Sequence, residues 1–352
     1  MKNFLFGFIL GLIITTFFSV IFQKFNSKII SPISNNRSTT KTLPLEKYQI
    51  KNLQKISLKP QKIKIVKNLK DDLKFSSYLY YSDIDTKSLG YKKNYRVSGL
   101  INIPKQKGKY PVIVMLRGFV PIENYTSGTG SRHAGGTLAQ NGFITIAPDF
   151  LGYGDSEYPP VDVFEARFLT SVTAISTIKS VANINSTLEE YDINGIIADF
   201  NNIGIWAHSN GGQIALTVLE IEKKIYPTVL WAPVTKPFPY NILYYTDEYE
   251  DEGMLLRKKL AEFEKDYDAR LFSTTKYLSE ISSPIQLHQG TADDAVPRQW
   301  SDEFYSLMKS QKKEIEYFVY QGEDHNIARG SFSTVINRSI MFFKKYLLDN
   351  SN

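Results

Sequence analysis

The sequence predicts an α/β protein whose central sheet is mostly parallel, with helices on both faces. Three observations carry this. Short apolar runs at residues 110–116, 143–147, 203–207, 228–232, 285–288 and 315–320 have strand length rather than helix length. Helix-patterned segments separate most of them, as crossovers between parallel strands require. Residues 203–216 read as a buried strand, a tight turn and a helix in immediate succession.

The N-terminal quarter has a different character. Residues 4–22 form an uncharged apolar run after Lys2. As a helix this run spans about 28 Å, close to the roughly 30 Å hydrocarbon core of a bilayer. The bulky residues 19–23 offer no small-x-small cleavage site. An uncleaved transmembrane helix is therefore expected within residues 1–24. Lys24, Lys28, Lys41 and Lys47 follow it, which by the positive-inside rule would hold the remainder in the cytoplasm. A very short Lys-bearing N-terminal tail is instead how export signals begin, and the expectation adopted is an extracytoplasmic domain on a membrane anchor. Residues 25–75 read as linker and extension. Within them 31–45 is polar and proline-punctuated like a tether, and 47–72 alternates Lys with Ile, Leu or Val like an edge strand. Residues 76–352 form the main domain.

Composition bounds the partners. Of 352 residues, 42% are apolar and 22% charged, ordinary values for a sizeable globular core. The net charge of +6 comes largely from lysines in the first hundred residues, with no clustered basic face and interleaved aromatics, so no nucleic-acid partner is expected. With no cysteine, disulfides, thiolate catalysis and cysteine-based metal sites are excluded. Nothing in the sequence sets an oligomeric state.

Along the main domain, residues 76–82 and 95–103 are expected as leading antiparallel strands, joined to the buried strand 110–116 by a turn at 104–108. The loop 120–133 carries Tyr125 and His133, which either pack or meet substrate. A helix at 134–141, closed by Gly142, precedes the strand 143–147. Asp149 reads as a structural hydrogen-bonding residue in the turn 149–156. Residues 163–184 read as one long helix with Phe168, Val172, Ile175, Ile178 and Val181 at core spacing. Residues 236–282 interrupt the alternation with Phe238, Tyr240, Tyr244, Tyr245 and Tyr249, then a helical stretch at 254–268. They are expected to form a small helical cap, either covering the sheet edge or lining a pocket with its tyrosines. Amphipathic helices at 300–308 and 332–348 close the domain.

The chemistry sits at Ile-Gly-Ile-Trp-Ala-His-Ser-Asn-Gly-Gly, residues 203–212. A serine on a strained strand-to-helix turn needs small neighbours two positions away, here Ala207 and Gly211, and presents its hydroxyl above the sheet edge. The helix N-terminus beneath Ser209 favours developing negative charge. Such a hydroxyl needs a base. The chain has four histidines, His133, His208, His288 and His325. His208 adjoins the serine and is expected to point away. Asp293 and Asp294 follow the run 285–288, and His325 follows the run 315–320. With the order serine, acid, histidine, only His325 lies downstream of the acid.

With these motifs in place, the chain resembles an α/β-hydrolase of the prolyl-oligopeptidase (S9 peptidase) catalytic-domain type, close to the dienelactone-hydrolase-like group. Gly-Thr-Ala-Asp-Asp-Ala-Val-Pro around Asp293, Gly-Glu-Asp-His at His325, Tyr-Pro-Val-Ile-Val-Met-Leu-Arg-Gly-Phe from Tyr110 and Ala-Pro-Asp-Phe-Leu-Gly-Tyr-Gly-Asp-Ser from Ala147 carry the resemblance, with the serine turn, over residues 76–350. The resemblance implies a catalytic triad of Ser209, Asp293 and His325, with Asp293 preferred to Asp294 by motif position. It implies an oxyanion hole from the backbone amides of Phe119 and Asn210. The chemistry would be hydrolysis of an ester or of an amide or peptide bond through an acyl-enzyme, on a small-molecule or peptide substrate, with no metal or cofactor needed. Arg117 departs from the His common at that position, which leaves the backbone donor in place and would alter the substrate's charge preference. The contrasting reading is a membrane-tethered, non-catalytic binding protein; its signature would be loss of a triad residue, and none is lost.

Overall fold

Strand alternation divides the apolar side chains between the two faces of one sheet. In the computed structural model, which describes residues 42–348, that sheet has nine strands: β1 (Lys64–Asp71), β2 (Phe75–Ile84), β3 (Tyr95–Pro104), β4 (Gly108–Leu116), β5 (Ile144–Pro148), β6 (Ile196–His208), β7 (Thr228–Trp231), β8 (Ile285–Gly290) and β9 (Ile315–Tyr320). Their spatial order is β1-β2-β3-β5-β4-β6-β7-β8-β9. The first three pairings are antiparallel and the rest parallel. This is an α/β-hydrolase fold.

The helices are α1 (Ile50–Leu53), α2 (Arg132–Gln140), α3 (Val163–Ser180), α4 (Ile184–Glu190), α5 (Asn210–Glu222), α6 (Tyr240–Leu243), α7 (Met254–Glu264), α8 (Arg298–Ser310) and α9 (Phe332–Leu347). On β4, Val112, Val114 and Leu116 enter the larger core with α3 and α5, while Ile113 and Met115 enter a second core with α2 and α9. With both faces covered, β5, β7 and β8 are buried at every position.

Three elements differ from expectation. The helix expected over 163–184 ends at Ser180, and a 3-10 turn at Val181–Asn183 leads into α4. Ser180 Oγ donates back to the Ser176 carbonyl at 2.7 Å and accepts from the Gln61 amide at 2.9 Å, and Asn183 donates to the Gln61 carbonyl. Hydroxyls that bond back to the preceding turn loosen a helix, and here the N-terminal extension uses the opening. β6 begins seven residues before its apolar half, and its pairing with β4 shifts register between Pro111 and Val112. The polar residues Asp199, Asn201 and Asn202 hid that half from hydrophobic patterning. Finally, the extension packs into the core: Leu45, the last residue of the expected tether, is buried, as are Tyr48, Ile50, Leu53, Leu58 and Ile63. The Leu45 amide donates to the Tyr267 hydroxyl at 3.1 Å, and Gln54 Nε2 donates to the Glu220 carbonyl at 2.8 Å.

The expected transmembrane helix at residues 4–22 lies outside the described residues. No helix among the described residues is long and apolar enough to cross a membrane.

The 236–282 insertion forms α6, α7 and short 3-10 turns. Its Phe238 and Phe272 pack on Phe168 of α3, with ring centroids 5.6 and 4.8 Å apart.

Gly204 in β6 has no room for a side chain: a Cβ there would lie 2.8 Å from the Phe343 ring and 2.9 Å from Ile113 Cδ1. Gly204→Ala is expected to lower stability by about 1–3 kcal/mol, measured by denaturant unfolding.

Candidate active site

Because β4, β6, β7, β8 and β9 are parallel neighbours, their C-terminal ends converge. Leu116 pairs with Ala207, His208 with Trp231, Trp231 with His288, and Gly290 with Tyr320. Every residue singled out for chemistry lies just beyond one of these ends.

Ser209 sits between β6 and α5 with φ 55° and ψ −124°, a conformation that side-chain-bearing residues rarely adopt. Its amide donates to the Trp231 carbonyl at 3.0 Å and its carbonyl accepts from the Val234 amide at 2.9 Å, so the sheet holds the strain. A Cβ at Gly211 would lie 2.0 Å from the Leu116 carbonyl oxygen. Only glycine allows α5 to approach β4 this closely. Ala207 is completely buried.

The structure brings Asp293 and His325 together. Both Asp293 carboxylate oxygens lie 3.0 Å from His325 Nδ1. The carboxylate side chain has no exposed surface. It also accepts from Gln289 Nε2 at 2.8 Å and from the amides of Ala295 and Val296 at 3.0 and 2.8 Å. Burial opposes its charge, but these donors and His325 outweigh burial and hold the carboxyl below its ordinary value. An ionised partner at Nδ1 leaves Nε2 as the basic nitrogen of His325. Asp294 is exposed.

The loop bearing His325 is fixed from beneath. A Cβ at Gly290 would lie 2.3 Å from the Glu323 carbonyl oxygen, so that loop rests directly on the end of β8. The buried Glu323 carboxylate accepts from the amides of Arg329 and Ser331, each at 2.7 Å.

His208 does not turn away from the site. Its ring lies 4.7 Å from that of His325, and its Nε2–H donates to the His325 carbonyl at 3.0 Å. It thereby ties the elbow to the loop carrying the base. Sequence reasoning missed this role, because alternation along a strand says which face a residue takes but not what packs there. Among the described residues no hydrogen bond joins Ser209 Oγ to His325. His208, the serine's immediate neighbour, hydrogen-bonds the His325 carbonyl; in candidate sites of this kind the hydroxyl–imidazole bond commonly tightens only when substrate binds.

After β4 the backbone passes against the serine: a Cβ at Gly118 would lie 2.7 Å from Ser209 Cβ and 3.2 Å from its Oγ. Among the described residues, neither the Phe119 nor the Asn210 amide is taken up by another hydrogen bond.

Residues 133–350, more than half of the chain, match the sequence profile of the prolyl oligopeptidase family. The chain belongs to that family. No curated protein matches it in sequence. Among solved structures it is similar to a puromycin-hydrolyzing peptidase of Mycobacterium tuberculosis, with TM-score 0.54 and 16% identity over 79% of this chain and 40% of that one. It is similar too to an acetyl xylan esterase from Paenibacillus sp. R4, with TM-score 0.56 and 15% identity over 90% and 97% of the two chains. Acetyl xylan esterase 1 from Thermoanaerobacterium sp. JW/SL YS485 gives TM-score 0.54 and 16% identity over 84% and 94%. At these identities the likeness establishes the fold. Membership of the prolyl oligopeptidase family makes the chain a serine hydrolase of the peptidase or esterase type.

In this family member Arg117 turns inward. It is buried, its Nη1 donates to the Gly118 carbonyl and its Nη2 to the Asp149 carbonyl, both at 2.8 Å. The guanidinium lies 4.0 and 4.5 Å from the ring centroids of Tyr153 and Tyr125. Cation–π contact on these rings draws it inward, so the expected effect on substrate charge is corrected. Tyr125 packs in the same cluster and donates to Asp149, which also accepts from Ser98, Ser127 and the Gly128 amide. His133 packs on Phe332 instead.

Burial, with the nearby His325 ring adding to it, lowers the pKa of His208 to about 4, and burial lowers His288 to about 3. Both are neutral when folded, whereas the unfolded chain takes up protons below about pH 6.5. Stability is therefore expected to fall as the pH drops from about 6.5 toward 4, because only the unfolded state binds the extra protons. Thermal unfolding across that range checks this; a flat profile would contradict the burial of the two rings.

Proposed function

We propose that the protein hydrolyses a carboxylic ester or an amide bond through Ser209, His325 and Asp293 and an acyl-enzyme. The observation that carries this reading is the wholly buried Asp293 carboxylate on His325 Nδ1, beside a strained serine elbow. In the first step Ser209 Oγ attacks the carbonyl carbon while its proton passes to His325 Nε2. The amides of Phe119 and Asn210 hold the resulting oxyanion, each contributing roughly 2.7–4 kcal/mol to the transition state. Collapse breaks the bond to the leaving group, which takes the proton from His325. Water, deprotonated by the same nitrogen, then attacks the acyl-enzyme and releases the acid and free Ser209.

Peptides and esters both suit this machinery. The esterases it resembles act on acetyl xylan and the peptidase on puromycin, according to their descriptions. The cap supports an aromatic or apolar group at the entrance. Tyr244 and Tyr245 pack with Trp300, next to Val234 and Val296, and those two residues hydrogen-bond Ser209 and Asp293 through their amides.

A fluorophosphonate probe is expected to label the wild type at Ser209 and not Ser209→Ala. Asp293→Asn is expected to lower kcat by roughly 10⁴ on whichever of p-nitrophenyl esters or aminoacyl anilides is turned over. Unlabelled wild type would favour a non-catalytic binding protein.

A further inference from the structure

Beside the elbow lies a cavity of about 260 Å³, bounded by α3, α5, the cap and the N-terminal extension. Leu53 and Phe168 are among its apolar lining residues. Where it meets the elbow stand Arg167, Asn210 and Gln213. Arg167 Nη2 donates to Gln213 Oε1 at 2.6 Å and, at 3.5 Å, to Asn210 Oδ1. Both partners are neutral amide oxygens.

Arg167 is half-buried, and withdrawing a cation from water without an opposing carboxylate is unfavourable. The contrast with Arg117 is informative. That buried guanidinium lies against two tyrosine rings and spends both terminal nitrogens on backbone carbonyls. Arg167 uses one terminal nitrogen, and no carboxylate among the described residues forms an ion pair with it. Burial lowers its pKa to about 10, against the opposing influence of Tyr249 and Tyr245, so it remains a cation at neutral pH. Nη2 is engaged by those two amide oxygens, which leaves Nη1 to donate to an incoming anion. A single guanidinium matches a monoanionic carboxylate better than a doubly charged phosphate. Asn210, which Arg167 touches, directly follows Ser209 and supplies one oxyanion amide in the mechanism above.

We propose that Arg167 recognises a carboxylate on the acyl portion of the substrate, placed a few carbons from the reacting carbonyl. This rests on the hydrolase reading and names the substrate class of that same site.

The test uses the full chain and p-nitrophenyl hemi-esters of succinic, glutaric and adipic acid, each against the neutral p-nitrophenyl ester of equal length. The wild type is expected to favour one hemi-ester in kcat/KM. Arg167→Gln should reduce that preference roughly 10- to 100-fold, with Arg167→Lys in between. If Arg167→Gln does not fold, inhibition of the wild type by glutarate but not by valeramide supports the proposal, and equal inhibition overturns it. An unchanged ratio in Arg167→Gln, or a wild type that favours the neutral esters, also overturns it. Fluorophosphonate labelling separates the two readings. A labelled wild type without anionic preference refutes the role of Arg167 alone, and an unlabelled one refutes both.

Discussion

The close approach of the helix after the serine to the end of the neighbouring strand is the constraint on which the site depends. Gly211 lies so near the Leu116 carbonyl that even a methyl group would collide with it. That contact sets the strained backbone at Ser209, and the hydrogen bonds to Trp231 and Val234 keep it. Gly118 likewise lies against the serine side chain. One glycine thus sets the backbone geometry at Ser209, the kind of strain that functional sites store.

Around this contact the charged groups are handled in contrasting ways. Asp293 is buried with four donor groups, which keep it ionised where burial alone would neutralise it. Asp149 is buried with comparable support, yet it serves a loop and aromatic cluster rather than the base. His208 and His288 take the opposite course and stay neutral in their surroundings. A neutral His208 packs on the His325 ring without placing a second charge against it.

The N-terminal extension belongs to this design. Tyr48, Ile50 and Leu53 are buried in the main core and also wall the cavity beside Asn210. Lys47 and Lys51 anchor the segment through ion pairs with Glu165 and Glu280. Residues that precede the family's matched region therefore shape the space next to Ser209 and Asn210.

The parallel sheet, the strained turn at Ser209 and the pairing of Asp293 with His325 were legible in sequence because each depends on local rules. Apolar runs of strand length mark buried strands, and small residues on both sides of a serine mark a strained turn. Downstream of Asp293 the chain offers a single histidine. The polar half of β6, the break after Ser180 and the docking of Leu45 were not legible, since polar or short segments bury themselves only through partners distant in the chain. Tertiary structure also decided where long side chains point. Arg117 follows aromatic faces inward while Arg167 stands at the cavity, though composition treats them alike. Periodicity fixes the face of an element that a residue occupies, but the neighbour across that face is set by how the whole chain packs.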